Sequence, residues 1–173
     1  MRYKVEQTLR DVRFALETVG YRRADYQLVL QSYAAPVGPD MLEHLRGLSG
    51  CPLRAEDLHW VRDEALPEIN AALRTAADNT DTRFLDLSAA GSGREACSRN
   101  DPDEEWFTRL VVRWPDLDDD QRVGHALQES FHPNAAGHAQ FARCLEEFLA
   151  HTQGNARCLA GQDGDLHAVV ASW

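Results

Sequence analysis

Tyr26-Gln27-Leu28-Val29-Leu30-Gln31-Ser32-Tyr33 is a short, mostly apolar run, stopped by Pro36, Gly38 and Pro39. A short apolar run bounded by turn residues predicts a buried strand followed by a loop. On its N-terminal side, Val5, Leu9, Val12, Leu16 and Val19 recur at steps of four and three, one face of a helix that Gly20 would end. On its C-terminal side, Leu58, Val61, Ala65, Ile69 and Leu73 keep helical spacing across residues 55–77, with Pro67 expected to kink that helix rather than end it. Arg83-Phe84-Leu85-Asp86-Leu87-Ser88 is a second strand candidate. The turn-rich Ala90-Gly91-Ser92-Gly93 and the acidic residues 100–105 then read as the start of a long surface excursion.

Asn134 is placed to cap a last helix whose face is Phe141, Leu145 and Phe148, and the residues from Gly154 onward read as an irregular tail. The order is therefore helix, strand, helix, strand, helix, which implies right-handed crossovers and a parallel sheet covered by helices on both faces. Two strands make a poor sheet where about five are usual for a doubly wound fold. Strands belonging before residue 1 are thus expected to be missing, as in a fragment or a split protein.

With 173 residues, 43% hydrophobic and 27% charged, one domain over 1–173 with a real core is expected. Lys and Arg number 18 against 28 Asp and Glu, a net charge of −10 that would repel a phosphate backbone, so nucleic acid is not an expected partner. No apolar run reaches the roughly 20 residues of a membrane span, and the N-terminus carries no signal-peptide hydrophobic region. Cys51, Cys97, Cys144 and Cys158 form no CxxC pair, so two disulfides in an oxidising compartment fit better than a metal site. That expectation conflicts with the missing signal peptide unless a leader or upstream part of the gene lies outside these residues. The run 116–120, with four acids in five residues, is read as a solvated loop rather than a cation site.

His132 precedes Pro133 and Asn134, on a loop just ahead of a helix, the end at which α/β sheets place their ligand crevice. A neutral imidazole there can take a proton from a hydroxyl and return it to a leaving alcohol, provided another group fixes its tautomer. The rival reading is a loop histidine that only caps the helix. A metal reading would join His125, His132 and His138, but their spacing matches no familiar zinc motif, so no metal or cofactor is expected. His138 is taken as structural or exposed. Asn134 is given the role of helix cap, and Gly137 that of letting the helix approach the sheet closely.

The block Glu129-Ser130-Phe131-His132-Pro133-Asn134-Ala135-Ala136-Gly137-His138 resembles the last conserved block of the SGNH/GDSL hydrolases, particularly the secreted actinobacterial esterases and lipases. Gln27 to Tyr33 resembles their VVLxSYP strand, Cys51-Pro52-Leu53 with Leu58-His59-Trp60 their CPL and LRW helix start, and residues 83–87 with Cys97 a further strand and cysteine. The resemblance implies a three-layer α/β/α flavodoxin-like fold lacking its N-terminal strands, a small-molecule or lipid ester substrate, secretion, and His132 as catalytic base. Glu129 stands where most of the family has the aspartate that orients the histidine, while some secreted relatives use a backbone carbonyl; both orienters stay open. In the same picture Cys144 and Cys158 lie near the end of the last helix and Cys51 and Cys97 bracket the long helix and second strand, so those two pairs are expected.

The family's Gly-Asp-Ser, oxyanion glycine and Gly-x-Asn-Asp blocks are not in this sequence. Ser49 and Ser92 sit beside glycines, yet neither follows a strand and opens a helix as a nucleophile elbow does. Without a nucleophile no covalent acyl transfer can occur, and each missing oxyanion contact loses roughly 3 kcal/mol, so the chain alone is expected to be nearly inactive. Three expectations follow: an ester hydrolase completed by an upstream segment, an inactive binding or interaction module, or one half of a split enzyme that pairs through the sheet edge near Leu28 and Leu30.

Overall fold

The computed structural model describes residues 2–48, 50–112, 129–151 and 154–171. The chain forms two compact units, Met1–Ala34 with Leu66–Ala89 and Arg143–Trp173, and Ala35–Ala65 with Ala90–Ala142. The elements are α1 (Arg2–Thr18), β1 (Val29–Gln31), α2 (Ala55–Trp60), α3 (Leu66–Asp78), β2 (Arg83–Asp86), α4 (Ala135–His151), β3 (Ala156–Ala160) and β4 (Leu166–Val170).

The first unit holds a four-stranded sheet in the order β1-β2-β3-β4. The pairings β1 to β2 and β2 to β3 are parallel and β3 to β4 is antiparallel, so the class is mixed α/β. Leu30 lies opposite Phe84 in this register. Phe84, Leu73 and Ala77 form a buried cluster against which Val5, Leu30 and Ile69 pack. Both strands read from the sequence are therefore present, in shorter form. At their C-terminal ends the Ser32 hydroxyl donates to Asp86 Oδ1 at 3.1 Å and accepts the Leu87 N–H at 2.7 Å, which ties the two strand ends together.

Helix α1 ends as expected at Gly20, whose φ of +94° suits glycine. The Gly20 N–H reaches the Glu17 carbonyl and the Tyr21 N–H the Leu16 carbonyl, the paired bonds of a Schellman cap. The buried face differs from the apolar stripe in the sequence: Glu6, Leu9 and Arg13 are covered, while Val12 and Val19 are 39% and 70% exposed. The reason is polar. Arg13 donates to the Thr80 and Asp81 carbonyls beyond the end of α3, and Glu6 accepts from Asn79, so the helix turns those residues inward.

The long helix is continuous from α2 through a π-helical turn, Val61–Ala65, into α3. Pro67 has no N–H for the carbonyl of residue 63 and its ring crowds that carbonyl, which the wider turn accommodates. Pro67 thus deforms the helix without ending it, as its position in the sequence predicts.

The expected irregular tail is instead the β3–β4 hairpin. Its turn places Gly164 at φ +84° and brings the Gly161 N–H to the Asp165 carbonyl at 2.8 Å. The Cys144–Cys158 disulfide joins β3 to α4. A second tie is electrostatic: His167 Nδ1 lies 2.9 Å from Glu147 Oε1 and its Nε2 3.1 Å from Asp163 Oδ2. Asp163 and Glu147 hold the imidazole above its usual pKa of 6.5. A raised histidine adds stability that is complete below pH 6.5 and is lost as pH climbs through the folded value. The carboxylates are held below their usual values, Asp163 by His167 and Glu147 chiefly by the Ala168 N–H, so their contribution fails as the solution is acidified below about pH 4.5. The melting-temperature advantage of the wild type over His167→Gln is therefore expected to shrink from about pH 5.5 to about pH 9. An advantage that grows with pH would contradict this account.

In the second unit, Cys51 and Cys97 form the other disulfide. Both cysteines are fully covered, and Leu58 and Ala96 of the same unit are buried as deeply. The sequence points to a surface excursion after β2, but Ala96, Glu105, Trp106 and Phe107 are buried. The Ala96 N–H bonds the Pro36 carbonyl and the Trp106 N–H the Arg94 carbonyl, so this stretch satisfies its backbone inside the unit without forming strands.

Candidate active site

His132 sits on a turn laced to the extended segment 105–111. Phe107 forms an isolated antiparallel bridge with Pro133. The Thr108 N–H donates to the His132 carbonyl at 2.9 Å, and the Phe131 N–H donates to the Thr108 carbonyl at 3.0 Å. The Thr108 hydroxyl donates to the Glu129 carbonyl and lies 3.1 Å from that of His132. Ser130, buried, accepts from the Val111 N–H at 3.0 Å and donates to the Val111 carbonyl at 3.1 Å through its hydroxyl. These bonds hold Phe131 at φ +60°, a left-handed conformation costing a non-glycine residue about 1–2 kcal/mol.

The turn runs directly into α4. Asn134 caps it as read from the sequence, its Oδ1 accepting the Gly137 N–H at 2.9 Å. Its Nδ2 donates to the Glu105 carbonyl and its N–H to the Trp106 carbonyl, so the cap also docks the helix start. The close approach that Gly137 permits is to Trp106: an added Cβ would stand 2.2 Å from that residue's carbonyl oxygen.

Beneath the turn Glu105 is fully buried. Arg109 meets it in a fork, Nε to Oε2 and Nη2 to Oε1, both at 3.0 Å, and the Arg99 N–H adds a third bond at 3.1 Å. Every oxygen of this buried carboxylate is thus paired.

The imidazole itself is exposed, and its Nδ1 lies 3.0 Å from the Ser130 carbonyl. A carbonyl only accepts, so this contact places the proton on Nδ1 and leaves the lone pair of the neutral ring on Nε2. That is the form in which a histidine accepts a proton at Nε2 and later gives it back. Of the two orienters left open by the sequence, the carbonyl stands against Nδ1. Glu129 is exposed, and its backbone carbonyl is the group that Thr108 holds.

His138 is exposed on α4, four residues past the cap. Ser92 is an exposed turn residue followed by further turns and bends, not directly by a helix. Ser49, His125 and the acidic run 116–120 lie outside the described residues. Among the described residues no three His, Cys, Asp or Glu side chains gather closely enough to hold a metal ion. Thr108 and the Glu105–Arg109 pair are not legible in the sequence, because each acts on residues more than twenty positions away or through burial that no local pattern encodes.

Comparisons of the chain with protein-family models, with curated proteins and with solved structures found no match. The described residues define a mixed α/β protein stapled by two disulfides, the covalent chemistry of an oxidising, extracellular-type environment. None of its described helices is long and apolar enough to cross a membrane.

Proposed function

We propose that this chain supplies the catalytic base of a secreted carboxylic ester hydrolase of SGNH type, with the three-layer flavodoxin-like fold of that family. The serine nucleophile and its oxyanion donors come from outside these 173 residues. The Nδ1 contact with the Ser130 carbonyl carries the reading, since it leaves Nε2 as the acceptor that such a base requires. Two further features support it. The cysteines pair as the resemblance implies, and β1 is an edge strand among the described residues, where additional parallel strands could join.

In the reaction, serine Oγ attacks the ester carbonyl carbon as Nε2 removes its proton, and the carbonyl π electrons move to oxygen. Collapse of the tetrahedral intermediate expels the alcohol, which takes that proton from the imidazolium. Water then enters by the same route, with Nε2 as base, and releases the carboxylic acid and free serine.

The test combines fluorophosphonate labelling with hydrolysis of a short p-nitrophenyl ester. The folded chain alone is expected to show neither. Joined to a polypeptide bearing a Gly-Asp-Ser block that completes it, the wild type should label and turn over, with His132→Ala slower by about 10²–10⁴-fold. Full activity in His132→Ala, or labelling of a serine within the chain alone, would overturn the proposal.

A further inference from the structure

We infer that Thr108 is a positioning residue for His132, its hydroxyl selecting the Nδ1–H tautomer by closing the turn from Glu129 to His132. The inference rests on reading His132 as the base. Nδ1 meets the Ser130 carbonyl only while that carbonyl points back toward the ring two residues on. The geometry requires Phe131 at positive φ, which this residue type does not adopt without support.

Thr108 grips both flanks of the strained residue. Its hydroxyl donates to Glu129 before it, its N–H donates to the His132 carbonyl after it, and its carbonyl receives the Phe131 N–H itself. Any residue other than proline at position 108 could make the two backbone bonds. Only the hydroxyl's bonds to the Glu129 and His132 carbonyls depend on the side chain, so they are the part that substitution can isolate. Loss of the hydroxyl frees the two edges of the turn, lets the Ser130 carbonyl swing from Nδ1, and exposes that nitrogen to water. The ring then reverts toward the Nε2–H form that free imidazoles favour, with its lone pair on the wrong nitrogen.

Long-range proton–nitrogen correlation spectra read this directly, since ring nitrogens with and without a proton differ widely in shift. His132 is assigned by the signal absent from His132→Asn, and spectra are taken where the ring is neutral. The wild type should show a protonated Nδ1 as the majority form, Thr108→Val a majority of the Nε2–H form, and Thr108→Ser a return to the wild-type pattern. If the valine variant does not fold, Thr108→Ala takes its place. Unchanged nitrogen shifts in a folded Thr108→Val or Thr108→Ala, or failure of Thr108→Ser to restore them, would overturn the inference. No substrate enters this measurement, so a failure of the ester-hydrolase reading shows separately, as absent hydrolysis beside an intact tautomer response.

Discussion

Arg109→Met is expected to destabilise the protein by about 3–5 kcal/mol, lowering its melting temperature by roughly 6–20 °C. The size of the effect follows from what remains. Glu105 is fully buried, and without the guanidinium fork its carboxylate keeps only the Arg99 N–H among the bonds described above. Arg109 also donates to the Arg99 and Asn100 carbonyls, and the variant loses those bonds as well. An uncompensated buried charge costs far more than the ion pair contributes over a neutral replacement. Glu105→Gln with Arg109→Met should therefore recover much of the lost stability, because it removes the charge and keeps an amide oxygen for Arg99. Urea titration of the two variants with disulfides intact decides the matter. A single variant within about 1 kcal/mol of the wild type would show that the pair is not needed.

Replacing Cys51 and Cys97 together with alanine is expected to cost about 4 kcal/mol, against about 3 for Cys144 with Cys158, on the loop-entropy model. The residues bridged are separated by 46 and 14 positions, and the longer loop regains more freedom in the unfolded chain. Cys97 adds a native-state effect, since it occupies φ +62° in a core where both cysteines are fully covered. The bridge and the bond from the Leu42 N–H to the Cys97 carbonyl hold that conformation together. Denaturation of each double variant separately tests the order. A larger loss at Cys144 and Cys158 would show that native contacts, rather than chain freedom, govern the difference.

What is legible in the sequence is what local pattern encodes. β1 and β2 announce themselves by short apolar runs between breakers, Asn134 by its place before a periodic stretch, and Pro67 by its missing N–H. The β3–β4 hairpin escapes a reading by pattern although 156–160 and 166–170 flank a turn with an Asp163-Gly164 pair, because an apolar alternation interrupted by Arg157 and His167 is weak. Those two polar positions have partners: Arg157 faces Asp86 at 3.4 Å and His167 faces Glu147. The face of α1 is misread for the same reason, since Glu6 and Arg13 enter the interior to serve the end of α3. At the candidate site the histidine and its cap are readable. The Ser130 carbonyl beside Nδ1 and the Glu105–Arg109 pair are near in sequence but set by backbone conformation and burial, and the grip of Thr108 by a segment 21 residues away, none of which leaves a periodic trace.

The two compact units are interleaved along the chain, which passes between them after residues 34, 65, 89 and 142. Because the unit containing the sheet draws on both ends and the middle of the sequence, every single cut in the polypeptide divides it. Neither unit can be transferred between genes as one uninterrupted cassette. Recombination within this region would therefore separate partners that must fold together, and its variation is expected to proceed by point substitution and loop length rather than by module exchange.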